Sequence, residues 1–215
     1  MPAALIFDLD GTLVDTVETR IRAWLQVFAE VGIGATREQV APLIGSDGKI
    51  LARRIGDEAG TPIDEARAEE IDVRAGEIYG ELNRDPRPLP GARELLMKLD
   101  DRGLPWAIAT SSRREQVARS VAALDLPRPP TIVDGSHVAR AKPAPDLLQL
   151  AARELGVVPT ECWYIGDSTW DMLAAVAAGM TAVGVTTGSA AGDDLRRAGA
   201  SRVIASLDEL ELPGA

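Results

Sequence analysis

From Gly91 onward the chain alternates helical periodicity with short apolar runs, and no other feature narrows its possible folds as much. Helices are expected at 92–102, 114–123, 145–155, 169–178, 193–198 and 207–210, with strands at 105–109, 131–133, 162–165, 181–185 and 202–204. Strands separated by helices do not form tight hairpins. They pair in parallel, and the returning helices cover both faces of the sheet. The expectation is an α/β protein with a Rossmann-like parallel-sheet core. In such sheets ligands collect beyond the carboxyl ends of the strands, so chemically active residues belong just after strands.

That rule points first to the start of the chain. Leu5, Ile6 and Phe7 read as a strand ending in Asp8, with Asp10 two residues on and the turn dipeptide Asp10-Gly11 behind it. Two carboxylates at one strand end raise each other's pKa unless a divalent cation or a shared proton intervenes. Asp8 is placed to act as a nucleophile, and Asp10 to move a proton on and off a leaving group. Other strand ends carry complementary groups: Thr110-Ser111-Ser112 after the strand at 105–109, and Gly166-Asp167-Ser168-Thr169-Trp170-Asp171 after the strand at 162–165. Ala141-Lys142-Pro143-Ala144-Pro145-Asp146 opens the helix at 145–155.

Asp8 and Asp167, helped by Asp171 and a backbone carbonyl such as that of Asp10, are hard oxygen ligands suited to magnesium. Thr110 and Ser111 stand at a helix N-terminus, whose free N–H groups suit phosphate oxygens. Lys142 adds a point charge able to neutralise both an attacking carboxylate and a phosphoryl group. Each piece has a structural alternative. Ser168 to Asp171 and Ser112 to Glu115 both match a helix capping box, Lys142 would serve as a solvated loop lysine, and Asp146 favours a helix dipole.

Between the first strand and the alternating region lie roughly 70 residues with no strand pattern and helical spacing at 17–31, 37–44, 48–55 and 64–82. The proline-rich stretch 84–91 follows as a stiff, non-helical connection. This block reads as an inserted cap, giving a core domain of 1–15 and 86–215 and an all-helical cap domain of 16–85.

DLDGTLVDT, the Thr110-Ser111 pair, AKPAPD and GDSTWD resemble the four ordered motifs of the haloacid dehalogenase superfamily, with a helical cap after the first. The resemblance spans nearly the whole chain. It implies that Asp8 accepts the phosphoryl group, Asp10 is the general acid and base, and Thr110, Ser111 and Lys142 contact phosphate. It also implies that Asp8, Asp10 and Asp167 hold magnesium with Asp171 in support, and that the opening strand lies centrally. An aspartate at position 10 resembles the phosphatases and phosphomutases rather than the dehalogenases of this superfamily. The expected activity is therefore magnesium-dependent hydrolysis of a small phosphorylated metabolite, of phosphoglycolate or sugar-phosphate type, through an aspartyl-phosphate. Alternatives are a β-phosphoglucomutase-like transfer, a phosphonatase using Lys49, the one lysine of 16–85, as a Schiff base, and a phosphate-binding module without turnover.

Within the cap, Ile44-Gly45-Ser46-Asp47-Gly48-Lys49 resembles the family's substrate-facing loop. Lys49 and Arg53, one helical turn apart, are candidates to hold a carboxylate or second anionic group, as in phosphoglycolate phosphatases; a solvated helix face is the alternative. Arg20 and Arg22 are weaker candidates.

Charge and cysteine content set the remaining bounds. A net charge of -10 opposes general attraction to nucleic acid or an anionic membrane. Aromatic residues make up only 4% of the chain, so the core is expected to be aliphatic. Cys162 is the single cysteine, which excludes an intrachain disulfide, suits a reducing cytoplasm and sits in an apolar run as a buried inert thiol. No basic segment with a long apolar core marks a signal peptide. The uncharged span 172–192 has the length of a membrane crossing, yet its glycines and its change of pattern at Gly179 favour a buried helix followed by a buried strand. A monomer or weak dimer is expected.

Overall fold

The computed structural model describes residues 1–212. Six strands pair in parallel: β1 (Ala4–Phe7), β2 (Trp106–Ala109), β3 (Thr131–Val133), β4 (Cys162–Gly166), β5 (Thr181–Val185) and β6 (Arg202–Ile204). Their spatial order is β3-β2-β1-β4-β5-β6, so the opening strand is central. The chain winds outward from β1 to β3, then returns to the other side of β1 with β4. A crevice opens at that reversal, beyond the carboxyl ends of β1 and β4.

Both faces of the sheet are buried. Side chains alternate across the sheet: Leu5 and Phe7 face one core with Ile108, Ile165 and Val183, while Ala4 and Ile6 face the other with Ala107, Ala109, Tyr164 and Ala182. Helix α5 (Ala92–Asp101) and α6 (Arg114–Ala123) pack on the first face. On the second lie α7 (Asp146–Glu154), α8 (Thr169–Ala178) and α9 (Gly192–Arg197), where many of the packed side chains are alanines.

Helices α1 (Val17–Glu30), α2 (Arg37–Val40), α3 (Gly48–Glu58) and α4 (Glu65–Leu82) bury a separate apolar cluster that includes Trp24, Phe28, Leu51, Ile55, Ile71 and Ile78. The chain enters this helical block and leaves it at one place. Asp15 N–H donates to the Arg87 carbonyl (2.9 Å), Leu89 N–H donates to the Leu13 carbonyl (2.9 Å), and Val14 bridges Pro88 in antiparallel fashion.

Three expectations need correction. The helix expected at 37–44 stops at Val40 and continues as a 3-10 turn, Ala41–Leu43, because Pro42 has no N–H to sustain an α-helix. The last expected helix, 207–210, is one 3-10 turn, Leu207–Glu209. Ser112 does not cap α6: Arg113 occupies the N-cap without a side-chain hydrogen bond, and the Ser112 hydroxyl is engaged elsewhere. The span 172–192 folds as part of α8 followed by β5, and among the described residues no helix is long and apolar enough to cross a membrane. Cys162 is fully buried, and burial pushes its thiol up to about 11.

Candidate active site

The end of β1 delivers the first acid. Asp8 N–H donates to the Ile165 carbonyl (2.8 Å), continuing the β1–β4 pairing by one residue and carrying the Asp8 side chain past the sheet's edge. The chain then turns sharply at Gly11, whose φ of +83 lies in the left-handed region. A Cβ there would stand 2.6 Å from Asp167 Oδ2, so the turn approaches Asp167 only as glycine.

Lys142 is fully buried and donates to Asp8 Oδ1 (2.7 Å), Asp171 Oδ1 (2.7 Å) and the Tyr164 hydroxyl (3.2 Å). Burial alone would lower its pKa, but the Asp171 and Asp8 carboxylates outweigh that and hold it above the usual lysine range. The balance is opposite at Asp8. Burial raises its carboxyl well above the ordinary aspartate value, Lys142 pulls it down only in part, and Asp171, Asp167 and Asp10 add to the rise. Asp167 is pushed up to about 7 by burial and by Asp171, while accepting from Thr12 Oγ1 (2.9 Å) and Ser189 N–H (2.8 Å).

Asp171 reconciles two readings of one motif. Its Oδ2 accepts from the Ser168 N–H (2.9 Å) and Oγ (2.5 Å), completing a capping box at the start of α8. That box fixes the rotamer that points Oδ1 at Lys142 and the Tyr164 hydroxyl. Asp8, Asp167 and Asp171 offer carboxylate oxygens that all lie within 4.8 Å of one another, a buried cluster able to hold a metal ion. One lysine against three buried acids leaves negative charge uncompensated, and an all-oxygen donor set suits a hard divalent cation.

Asp10 faces the helical block instead. Its Oδ2 accepts from Arg20 Nη2 (2.9 Å) and Ser112 Oγ (2.7 Å), and its Oδ1 from Thr16 Oγ1 (2.5 Å) and the Tyr79 hydroxyl (3.1 Å). Burial works to raise its pKa, but Arg20 and the hydrogen bonds from Thr16 and Ser112 prevail and hold the carboxyl below its usual value. The Asp10 side chain is outside the carboxylate cluster, so any metal contact from this residue falls to its backbone carbonyl.

Of the groups around Asp10, Thr16 and Ser112 belong to the strand-end motifs and Arg20 is one of the weaker candidates, while Tyr79 carries no mark in the sequence. Arg20 also donates to Gln116 (2.7 Å) and Ser112 (2.5 Å), and its guanidinium lies 3.5 Å from the centre of the Tyr79 ring. The Tyr79 hydroxyl accepts from Asn83 Nδ2 (2.8 Å) and pairs with Ser120 Oγ (3.2 Å). Burial and the neighbouring Asp10 push its pKa up to about 12, so it remains a donor. Tyr79, on α4, and Asn83, the residue at its C-cap, sit one turn apart, a polar pair following a helix face that is otherwise apolar.

Thr110 is buried, its Oγ1 accepting from the Ser112 N–H (3.2 Å), and the Ser111 hydroxyl donates to the Gly45 carbonyl (3.1 Å). Two further bonds tie the helical block to the sheet side: Asp47 N–H to the Lys142 carbonyl (2.9 Å) and Trp170 Nε1–H to the Pro42 carbonyl (2.8 Å). Between the sheet edge and the block lies a cavity of about 50 Å³, whose lining includes Asp8, Asp10, Thr110, Ser111 and Lys142. Lys49 and Arg53 are not brought to it. Lys49 Nζ stands 4.0 Å from both Glu65 and Glu69, and Arg53 and Arg22 are exposed. Arg20, the weaker expectation, does line the cavity.

Residues 5–185 match the family of haloacid dehalogenase-like hydrolases. Hexitol phosphatase A of Escherichia coli is 32% identical over 208 residues, covering 95% of this chain and 91% of that protein. Phosphoglycolate phosphatase of Pseudomonas putida is 31% identical, covering all of this chain and 80% of its own length. The crystal structure of a hydrolase from Pseudomonas syringae superimposes with a TM-score of 0.90 at 36% identity, covering 95% of this chain and 94% of that one.

Proposed function

The chain belongs to the haloacid dehalogenase-like hydrolases, and from that premise we propose that it is a magnesium-dependent phosphatase of a small phosphorylated metabolite, working through an aspartyl-phosphate on Asp8. One observation carries the reading: a buried ammonium, Lys142, pairs with Asp8 at 2.7 Å, while Asp10, two residues on, faces the opposite wall of the same cavity. One strand end thus presents an attacking group and a proton carrier to opposite sides of whatever enters.

In the first step a carboxylate oxygen of Asp8 attacks phosphorus, the bond to the leaving oxygen breaks, and Asp10 gives that oxygen a proton. In the second, Asp10 takes a proton from a water that attacks the acyl phosphate, releasing phosphate and restoring the Asp8 carboxylate. Asp10 then carries the proton for the next leaving group. Thr110, Ser111 and Lys142 contact the phosphoryl oxygens, and Lys142 offsets charge on both partners of the attack. Asp8, Asp167 and the Asp10 carbonyl would hold magnesium, with Asp171 fixing Lys142 beside them, and the ion when bound supplies positive charge against carboxylate and phosphate together.

The Asp8→Asn variant tests this directly. Phosphate release from a generic aryl phosphate should fall by on the order of 10⁴-fold or more with unchanged circular dichroism; retained turnover overturns the assignment. Conversion of β-glucose 1-phosphate to the 6-phosphate, primed by a trace of bisphosphate, would instead reveal phosphoryl transfer between sugar hydroxyls.

A further inference from the structure

The cavity over Asp8 has a second polar wall that the reaction does not use. Asp72, on α4, lines it beside the apolar side chains of Trp24, Ile44 and Leu51. Arg113 holds Asp72 Oδ2 through Nη2 (2.8 Å) and Nε (3.2 Å), yet the same Nη2 also donates to Glu69 (2.7 Å). One guanidinium therefore serves two carboxylates, and Lys49, 4.0 Å from Glu69, is itself shared with Glu65, so two cations face three acids and the group keeps a net negative charge. Asp72 Oδ1 packs against Gly48 so closely that a Cβ at 48 would overlap it. Glycine at the start of α3 makes room for an acid at this wall.

The cations tell the same story. Two line the cavity, Lys142 and Arg20, and each already has its acid: Lys142 lies between Asp8 and Asp171, and Arg20 binds Asp10. Lys49 and Arg53, the residues that the sequence offers for a second anionic group, are absent from the lining. A leaving group bearing its own carboxylate or second phosphate would meet Asp10 and Asp72 with no unclaimed cation, a costly desolvated repulsion. An uncharged leaving group with hydroxyls would donate to Asp72 and lay its C–H surface on Trp24, Ile44 and Leu51.

We propose that the substrate class is the phosphomonoesters of uncharged polyhydroxy compounds, polyols or sugars, and that Asp72 is the residue that selects them against anionic leaving groups. This deepens the phosphatase reading and rests on it. The sequence-based pairing of Lys49 and Arg53 with a carboxylate, and with it phosphoglycolate, gives way to an acid that accepts hydroxyl hydrogens.

The test compares kcat/KM with magnesium for polyol and sugar monophosphates of three to six carbons, 2-phosphoglycolate, a sugar bisphosphate and a generic aryl phosphate. The best polyol or sugar monophosphate should exceed 2-phosphoglycolate and the bisphosphate by at least about tenfold. Asp72→Asn, folded by circular dichroism, should narrow that ratio by about tenfold, chiefly through KM. Preference for 2-phosphoglycolate or the bisphosphate, turnover of the aryl phosphate alone, or an unchanged ratio in folded Asp72→Asn overturns the proposal while leaving the phosphatase reading in place. No hydrolysis of even the aryl phosphate overturns that reading itself. Should Asp72→Asn fail to fold, inhibition of aryl phosphate hydrolysis by the free products decides: a free polyol should inhibit at lower concentration than glycolate, and the reverse order overturns the proposal.

Discussion

The floor of the cavity and its roof are built on different principles. On the floor, Asp8 and Lys142 line the cavity with Asp167 and Asp171 buried beside them, and the acids crowd until Asp8 and Asp167 rise above the usual aspartate range. At the roof, Arg20 and Tyr79 reach across to Asp10, and that carboxyl falls below it. Asp8 and Asp10 are two residues apart, yet they belong to opposite sides of this divide. Their surroundings, not their positions in the chain, separate an acid whose one ammonium is shared with Asp171 from one supplied with its own guanidinium and three hydroxyl donors.

Breaking the floor should cost most. Lys142→Met removes a buried ammonium from between two carboxylates, and in magnesium-free buffer urea unfolding should show a loss of about 3–5 kcal/mol. Added magnesium should recover part of it. The roof is more forgiving: Tyr79→Phe deletes one hydroxyl shared by Asp10, Asn83 and Ser120, and should lower stability by about 1–3 kcal/mol in the same assay. If the two variants unfold alike, the roof is as tightly committed as the floor and the contrast fails.

Titration should sharpen the same contrast, because the two sides respond with opposite sign. Asp167, pushed up to about 7, lies above its unfolded value of roughly 3.9. Its contribution is therefore full below about pH 4 and is lost as pH rises through about 7, and Asp8 acts in the same sense. Asp10 lies below its unfolded value, so its contribution is present above about pH 4 and is lost only as pH falls through its lower folded value. Between about pH 5 and 8 Asp10 stays constant, and the urea midpoint of magnesium-free protein should fall with rising pH, with saturating magnesium flattening the slope. The smallest effect belongs to the outer face of the block. Arg53→Ala should change stability by less than about 0.5 kcal/mol and leave KM unmoved.

Floor and roof also differ in how far they can be read from sequence. The parallel sheet and the clustering of Asp8, Lys142, Asp167 and Asp171 follow from one rule, that strand ends gather at one edge, and short apolar runs mark those ends plainly. Roof contacts depend on how helices rotate and cross, which spacing does not fix. Arg20 comes over Asp10 only because the turn around Gly11 folds the chain back before α1 begins, and Ser112 abandons its expected capping role because Asp10 competes for its hydroxyl. Arg53 was legible after all: Leu51, Ala52 and Ile55 define the buried side of α3, and position 53 lies away from it.

The paired crossing at Asp15 and Arg87 has a consequence for how such a chain can change. A segment whose two ends meet at one point can be lengthened, shortened or replaced wholesale without shifting the register of any strand. The cluster of Asp8, Lys142, Asp167 and Asp171 can then be inherited intact while the surface above it, and with it the partners of Asp10, is exchanged, much as a handle accepts different blades.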